Sequence, residues 1–191
     1  PRIMNPTQDV LEARISSLEG GVTTAVGLPG ALVVASGQAA ETLAILNLAE
    51  TGSHIVSSSA LYGGTYNLFH YTLPKLGITT TFVSHTDPAA WEAAIRPETK
   101  LFFLETPSNP LTEIADIRAL TATAHAKGIL VAVDNCFCTP ILQRPLELGA
   151  DLVVHSATKF LDGQGRVLGG AVCGPKKLTE EIFKYLRTAG P

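Results

Sequence analysis

A single lysine lies between hydroxyl side chains and glycines, directly after a short apolar segment. In the stretch DLVVHSATKFLDGQG, Lys159 follows Ser156 and Thr158. An amine at the end of a strand, near cationic groups or poorly solvated, can have its pKa lowered enough to attack a carbonyl group. The alternative interpretation is an exposed lysine whose aliphatic stem lies along apolar surface.

Two other groups stand at comparable places in the sequence. Asp134 ends the apolar run LVAVD, where a carboxylate could bind a metal, act as a base, accept a hydrogen bond from a protonated ring nitrogen, or simply cap a turn. Ser36-Gly37-Gln38 joins a strand pattern to a helix pattern, and the free amides of a helix N-terminus suit a phosphate. Alone this signal is weak, and the segment has neither a Walker lysine nor a GxGxxG motif.

Apolar runs and helical patterns alternate along the chain, which predicts an α/β fold with a mostly parallel sheet covered by helices on both faces. We see one domain without an internal repeat or linker. Ligands bind beyond the carboxyl ends of such strands, so the polar residues after four strands should share one edge. The predicted strands are 31–35, 54–57, 79–83, 101–105, 130–133, 152–155 and 169–173, and the predicted helices are 5–18, 38–50, 62–76, 88–95 and 117–127.

Together these groups offer a phosphate cradle, a carboxylate for a ring nitrogen and an amine for an aldehyde. Pyridoxal 5′-phosphate presents the three matching groups, and it acts as an electron sink for carbanions. The residues therefore predict a site for this cofactor, with Lys159 as the amine that binds it covalently.

The same segments carry a family resemblance. The motifs RIMNPT, LEGG, ASGQAAE, YGGTYNLF, LETPSNP, VDNCFCTP and DLVVHSATKFLDGQG occur in the order typical of the Cys/Met metabolism family of pyridoxal-phosphate enzymes. Within that family the chain resembles the O-acetylhomoserine sulfhydrylases in its first part and the O-succinylhomoserine sulfhydrylases in its second. The two parts thus disagree on the acyl group.

The resemblance implies roles for four residues around the cofactor ring. Lys159 would hold the cofactor and later move protons, and Asp134 would pair with the pyridinium nitrogen. Tyr62 would stack on the ring and take part in proton transfer; the alternative is an aromatic side chain that packs at a helix N-terminus. Asn109 would contact the phenolic oxygen.

The resemblance also implies how the phosphate is held. Ser156, Thr158 and the backbone of Gly37 and Gln38 would bind it within the chain. Arg2 would reach the phosphate of a neighbouring subunit; the alternative is a solvated terminal arginine, which its position next to Pro1 makes stronger here. No metal is implied.

The implied fold is the large domain of a fold type I, aspartate aminotransferase-like transferase, spanning residues 1–191 without the family's N-terminal segment and smaller C-terminal domain. The implied reaction is γ-replacement on an O-acylhomoserine with sulfide or cysteine as sulfur donor, a step of methionine biosynthesis. The alternatives are a cystathionine γ-synthase, a methionine or cystathionine γ-lyase, and a cofactor-binding fragment without turnover. We expect the fragment itself to be inactive, and we expect exposed apolar surface near Ile182, Phe183 and Leu186.

Composition narrows the class of protein further. The 191 residues are 46% hydrophobic and 16% charged, with a net charge of -3, so nothing favours nucleic acid or an anionic membrane surface as a partner. Three cysteines cannot all pair within one chain, which favours free thiols and a cytoplasmic location. The resemblance adds a homodimer or homotetramer as the expected assembly.

Overall fold

The computed structural model describes residues 5–20 and 30–190. These residues form a single sheet of seven strands: β1 Ala31–Val34, β2 His54–Ser58, β3 Thr79–Val83, β4 Thr99–Glu105, β5 Leu130–Asp134, β6 Leu152–Ser156 and β7 Gly170–Cys173. The strand order is β1-β7-β6-β5-β4-β2-β3. Strand β7 runs antiparallel to both of its neighbours and the other pairs are parallel, so the mostly parallel sheet is confirmed.

Helices connect these strands and lie on both faces of the sheet, as predicted. The predicted helix 62–76 is continuous but contains three helix types: the α-helix Gly63–Asn67, the π-helix Leu68–Thr72 and the 3-10 helix Leu73–Leu76. It ends at Gly77, whose φ of 76° is the left-handed conformation that favours glycine. The α-helices are α1 Pro6–Leu18, α2 Gly37–Leu48, α3 Gly63–Asn67, α4 Pro88–Ala93, α5 Ile117–His125, α6 Thr139–Leu142 and α7 Lys176–Ala189.

Alternate residues of the central strand β4 belong to two different hydrophobic cores. On β4, Leu101 and Phe103 belong to the core beneath α2 and α7, whereas Phe102 and Leu104 pack with α5 on the opposite face. This alternation is what period-two side-chain geometry requires of a strand that is buried on both faces.

The last helix corrects one expectation. Ile182 is fully buried and Leu186 is 9% exposed, and Phe183 packs against the same core. The expected exposed apolar surface around these residues is therefore wrong, because α7 folds back beside α2 and covers the sheet. No helix within residues 5–20 and 30–190 is long and apolar enough to cross a membrane.

The register of the sheet determines which polar residues become neighbours. Glu105, the last residue of β4, pairs with Asp134, the last residue of β5. On the other side, Ser156 at the end of β6 and Val34 at the end of β1 both pair with Gly170 at the start of β7. The antiparallel strand thus brings the ends of β1 and β6 to one edge of the sheet.

Candidate active site

The ends of β1 and β6 meet at the start of α2. Ser36 caps this helix, and its hydroxyl accepts a hydrogen bond from Ala39 N at 3.1 Å. The amides of Gly37 and Gln38 lie in the first turn, where no carbonyl of the helix reaches them. A Cβ atom on Gly37 would lie 2.7 Å from Ser156 Cβ. Glycine therefore lets the helix begin against β6, and it brings three of the predicted phosphate-binding residues together at the positive end of the helix dipole.

Lys159 lies just beyond the end of β6. It belongs to the short π-helical turn Ala157–Leu161, and its φ of -97° and ψ of -129° are not helical. The residue is exposed. Its neighbour Thr158 accepts a hydrogen bond from Gly169 N at 3.4 Å through its hydroxyl. Lys159 is therefore accessible at the same edge of the sheet as Ser156.

Three buried carboxyl groups form a cluster at this edge. Glu41, Glu105 and Asp134 are only 3%, 4% and 5% exposed, and the carboxyl group of Glu41 lies in contact with that of Asp134. Burial, and then the charge of Asp134, raises the pKa of Glu41 well above its usual range and raises the pKa of Glu105 to about 8. The cluster consequently retains protons at neutral pH, and it favours a cation or hydrogen-bond donor beside Asp134.

Tyr62 is linked to this cluster through its backbone. Its N–H donates a hydrogen bond to Glu105 Oε2 at 2.6 Å, while its side chain is 48% exposed. A Cβ atom on Gly64 would lie 2.5 Å from Tyr62 Cε1 and 2.8 Å from Gln38 Oε1. The tyrosine ring therefore lies beside the start of α2, over a position that must lack a side chain.

Cys136 connects the carboxyl cluster with the phosphate side of the site. Its backbone N–H donates to Asp134 Oδ1 at 2.9 Å, and its sulfur accepts a hydrogen bond from Ser156 N at 2.9 Å. Burial, and then the charge of Asp134, raises the pKa of the thiol, so Cys136 stays neutral and unreactive. All three cysteines are free thiols.

Two predicted site residues are less closely tied to the others. Asn109 lines a cavity of about 550 Å³ together with Leu61, His85 and Glu113. Among the hydrogen bonds of the described residues, none joins Asn109 to Asp134 or Lys159, so its contact with a phenolic oxygen stays a prediction. Arg2 lies outside the described residues.

Comparison with known proteins identifies the family of this chain. Residues 1–191 match the model of the family described as Cys/Met metabolism PLP-dependent enzyme, where PLP is pyridoxal 5′-phosphate. The chain belongs to this family. It is 50% identical to an O-succinylhomoserine sulfhydrylase of Pseudomonas aeruginosa, 51% to an O-acetyl-L-homoserine sulfhydrylase of Corynebacterium glutamicum and 43% to an L-methionine gamma-lyase of Pseudomonas putida. These matches cover 100%, 96% and 95% of the chain but only 45%, 40% and 44% of the relatives.

The described residues fit the cofactor of the Cys/Met metabolism family. The unpaired amides at the start of α2 suit its phosphate, and the carboxyl cluster suits a protonated ring nitrogen. Gln38 Oε1 is buried at this place without a hydrogen-bond partner among the described residues. A bound group with a donor would satisfy this atom.

Sequence reasoning missed two members of the site. From the sequence alone, Glu105 is only the last residue of the predicted strand 101–105, and Glu41 has no predicted role. One signal is available for Glu41: it is the only charged residue of α2, in a run that is otherwise uncharged and mostly apolar, GQAAETLAILNL. A charged side chain on a helix that is covered on most sides is buried with a partner or has a function.

Proposed function

We propose that this chain forms the pyridoxal-phosphate-binding large domain of an O-acylhomoserine sulfhydrylase. In that reaction sulfide replaces the acyloxy group at Cγ of the substrate, which gives homocysteine and a free carboxylic acid. Two relatives of about 50% identity carry the names of O-succinyl- and O-acetylhomoserine sulfhydrylases. The observation that carries the proposal is the convergence of Lys159, the start of α2 and the buried Asp134 on one edge of the sheet.

The start of α2 would hold the phosphate. The amides of Gly37 and Gln38 would donate to its oxygens, and the hydroxyls of Ser156 and Thr158 would add two more donors from the end of β6. Gly37 has no side chain, so the start of α2 and the end of β6 lie in direct contact at Ser156. The amides of α2 and the hydroxyls that follow β6 can therefore approach the same anion.

Lys159 and Asp134 would act at the opposite end of the cofactor. Bound pyridoxal phosphate supplies an electron sink for a carbanion on the amino-acid substrate. Lys159 would attach the cofactor through Nζ and, once released, would carry a proton on the same atom. Asp134 would face the ring nitrogen and keep its proton in place. Tyr62 would cover the ring, held by the hydrogen bond from its N–H to Glu105.

A γ-lyase is the second candidate function, since one relative is named L-methionine gamma-lyase and is 43% identical. A lyase would share these residues but release an oxo acid and ammonia. The higher identity to the sulfhydrylases favours replacement by sulfide.

We further propose that the protein acts as a homodimer or homotetramer in the cytoplasm. Apolar side chains are exposed close to the site, with Ile141 74% and Leu142 79% exposed on α6 and Phe160 64% exposed beside Lys159. A second subunit would remove this apolar surface from water. The free thiols support a reducing compartment.

The test uses the full-length protein with pyridoxal phosphate, sulfide and either O-acetyl- or O-succinylhomoserine. We expect homocysteine, and the faster substrate identifies the acyl group. Oxobutyrate and ammonia without homocysteine would establish the lyase instead. Borohydride reduction followed by peptide mapping should locate the cofactor on Lys159. A protein that takes up no cofactor would refute the proposal altogether.

A further inference from the structure

Glu41 has no role in the site described so far. It is 3% exposed and lies on α2 one turn after Gly37, among alanine, leucine and isoleucine side chains. Burying a carboxyl group costs free energy unless it is hydrogen-bonded. Packing alone does not require a carboxyl group here, because an apolar residue would fill the same space. The hydrogen-bond partners of Glu41 therefore indicate what its carboxyl group does.

Donors on one side hold the carboxyl group in a single orientation. Thr65 Oγ1 lies 3.0 and 2.9 Å from its two oxygens, and Gln38 Nε2 donates to Glu41 Oε2 at 3.0 Å. The fully buried Thr65 lies on α3, the helix that begins directly after Tyr62. The remaining contact of Glu41 is with Asp134 at the end of β5.

The contact between Glu41 and Asp134 needs a proton. Two carboxylates in contact repel each other, so one member of such a pair stays protonated. Asp134 Oδ1 accepts a hydrogen bond from Cys136 N at 2.9 Å and would face the ring nitrogen, and both contacts favour its charged form. Burial also raises the pKa of Glu41 well above its usual range, so Glu41 is the member that keeps the proton. It then acts as a hydrogen-bond donor toward Asp134.

We propose that Glu41 is a positioning residue, whose carboxylic acid donates a hydrogen bond to Asp134 and so keeps that carboxylate oriented and the ring-nitrogen proton on the cofactor. A hydrogen bond to a carboxylate favours its charged form. Without Glu41, Asp134 competes more strongly for the shared proton. This inference rests on the proposed function, because it requires the cofactor nitrogen to face Asp134.

The first experiment reads the ring nitrogen directly. Full-length protein is loaded with cofactor labelled with ¹⁵N in the ring, and the ¹⁵N chemical shift is measured in wild type, Glu41→Gln and Glu41→Met. Met matches the length of Glu but offers no donor, so its shift should move toward that of an unprotonated ring nitrogen. Cofactor affinity should fall roughly ten- to a hundredfold, as for the loss of a hydrogen bond to a charged group. Gln retains a donor and should stay close to wild type.

Glu12→Gln is the matched control. Glu12 is also a buried glutamate, 5% exposed, and its Oε1 accepts hydrogen bonds from Val33 N and Gln8 Nε2, both at 2.9 Å, rather than from members of the carboxyl cluster. Its replacement should leave both the ¹⁵N shift and the cofactor affinity unchanged.

A second measurement does not depend on how well Glu41→Met folds. Infrared difference spectra of the wild-type protein at neutral pH should show the carbonyl band of a protonated, buried carboxylic acid that disappears in Glu41→Gln. If that band is absent, or if the Met variant keeps the wild-type ¹⁵N shift, the positioning role is overturned while the proposed function stands. If the wild-type protein binds no cofactor, the proposed function fails and the positioning role fails with it.

Discussion

Glu105→Gln should remove a pH-dependent loss of stability from the cofactor-free protein. Glu105 is 4% exposed, and its pKa rises from 4.5 to about 8, chiefly through burial and then through the charge of Asp134. Between pH 4.5 and about pH 8, the folded protein therefore keeps a proton on Glu105 that the unfolded chain has released. Stability falls with rising pH wherever the folded state binds more protons.

The magnitude follows from the size of this pKa change. At 1.36 kcal/mol per unit, a rise from 4.5 to about 8 corresponds to roughly 5 kcal/mol as an upper value. This contribution to stability is complete below about pH 4.5 and is lost as the pH rises through about 8. Gln resembles the protonated acid, and its oxygen can still accept the hydrogen bond from Tyr62 N. Compared with wild type, the variant should gain up to ~5 kcal/mol between about pH 4.5 and 9.

The assay is chemical unfolding of wild type and variant across that pH range, and the quantity compared is the difference in the free energy of unfolding. Glu92→Gln, at an exposed position, serves as the control and should shift the curve equally at all pH values. Parallel pH profiles for wild type and Glu105→Gln would refute the reasoning, because Glu105 would then have the same proton affinity in both states.

Three further predictions concern the cofactor. Lys159→Ala should abolish the visible absorbance of the bound cofactor and leave the fold intact, whereas the exposed Lys100→Ala should change neither; an unchanged spectrum would mean that another lysine binds the cofactor. Asp134→Asn should retain the cofactor but reduce turnover severely, since an amide stabilises a protonated ring nitrogen poorly, and near-normal kinetics would remove Asp134 from the mechanism. Gly37→Ala, whose Cβ would lie 2.7 Å from Ser156 Cβ, should lower stability by ~1–3 kcal/mol and weaken cofactor binding. Chemical unfolding measures the first effect, and titration with the cofactor measures the second. Gly63→Ala, where a Cβ meets open space, is its control, and equal effects of the two would contradict the packing argument.

The sheet could be predicted because each strand is a short apolar run between turn residues, and all seven predicted strands are present. The common edge at Gly37, Asp134 and Ser156 followed from the rule that parallel strands end together. The assignment of α7 could not be made in the same way, since nothing local in its sequence shows that it folds back beside α2. Glu41 was missed for a similar reason. Its position on the helix is readable from the sequence, but its contact with Asp134 depends on how α2 lies across the sheet.

The packing of α2 and the chemistry of the site depend on one another. The helix can begin against the sheet only because Gly37 meets Ser156 and because Gly170, which would otherwise contact Ser36 O, has no side chain. Each residue along a helix turns by about 100°, so a shift of the helix by a single residue would rotate Glu41 away from Asp134. The glycines that admit the start of α2 thus determine two things at once. They expose the amides of the first turn to a phosphate, and they direct the carboxyl group one turn later to the carboxylate that would face the ring nitrogen.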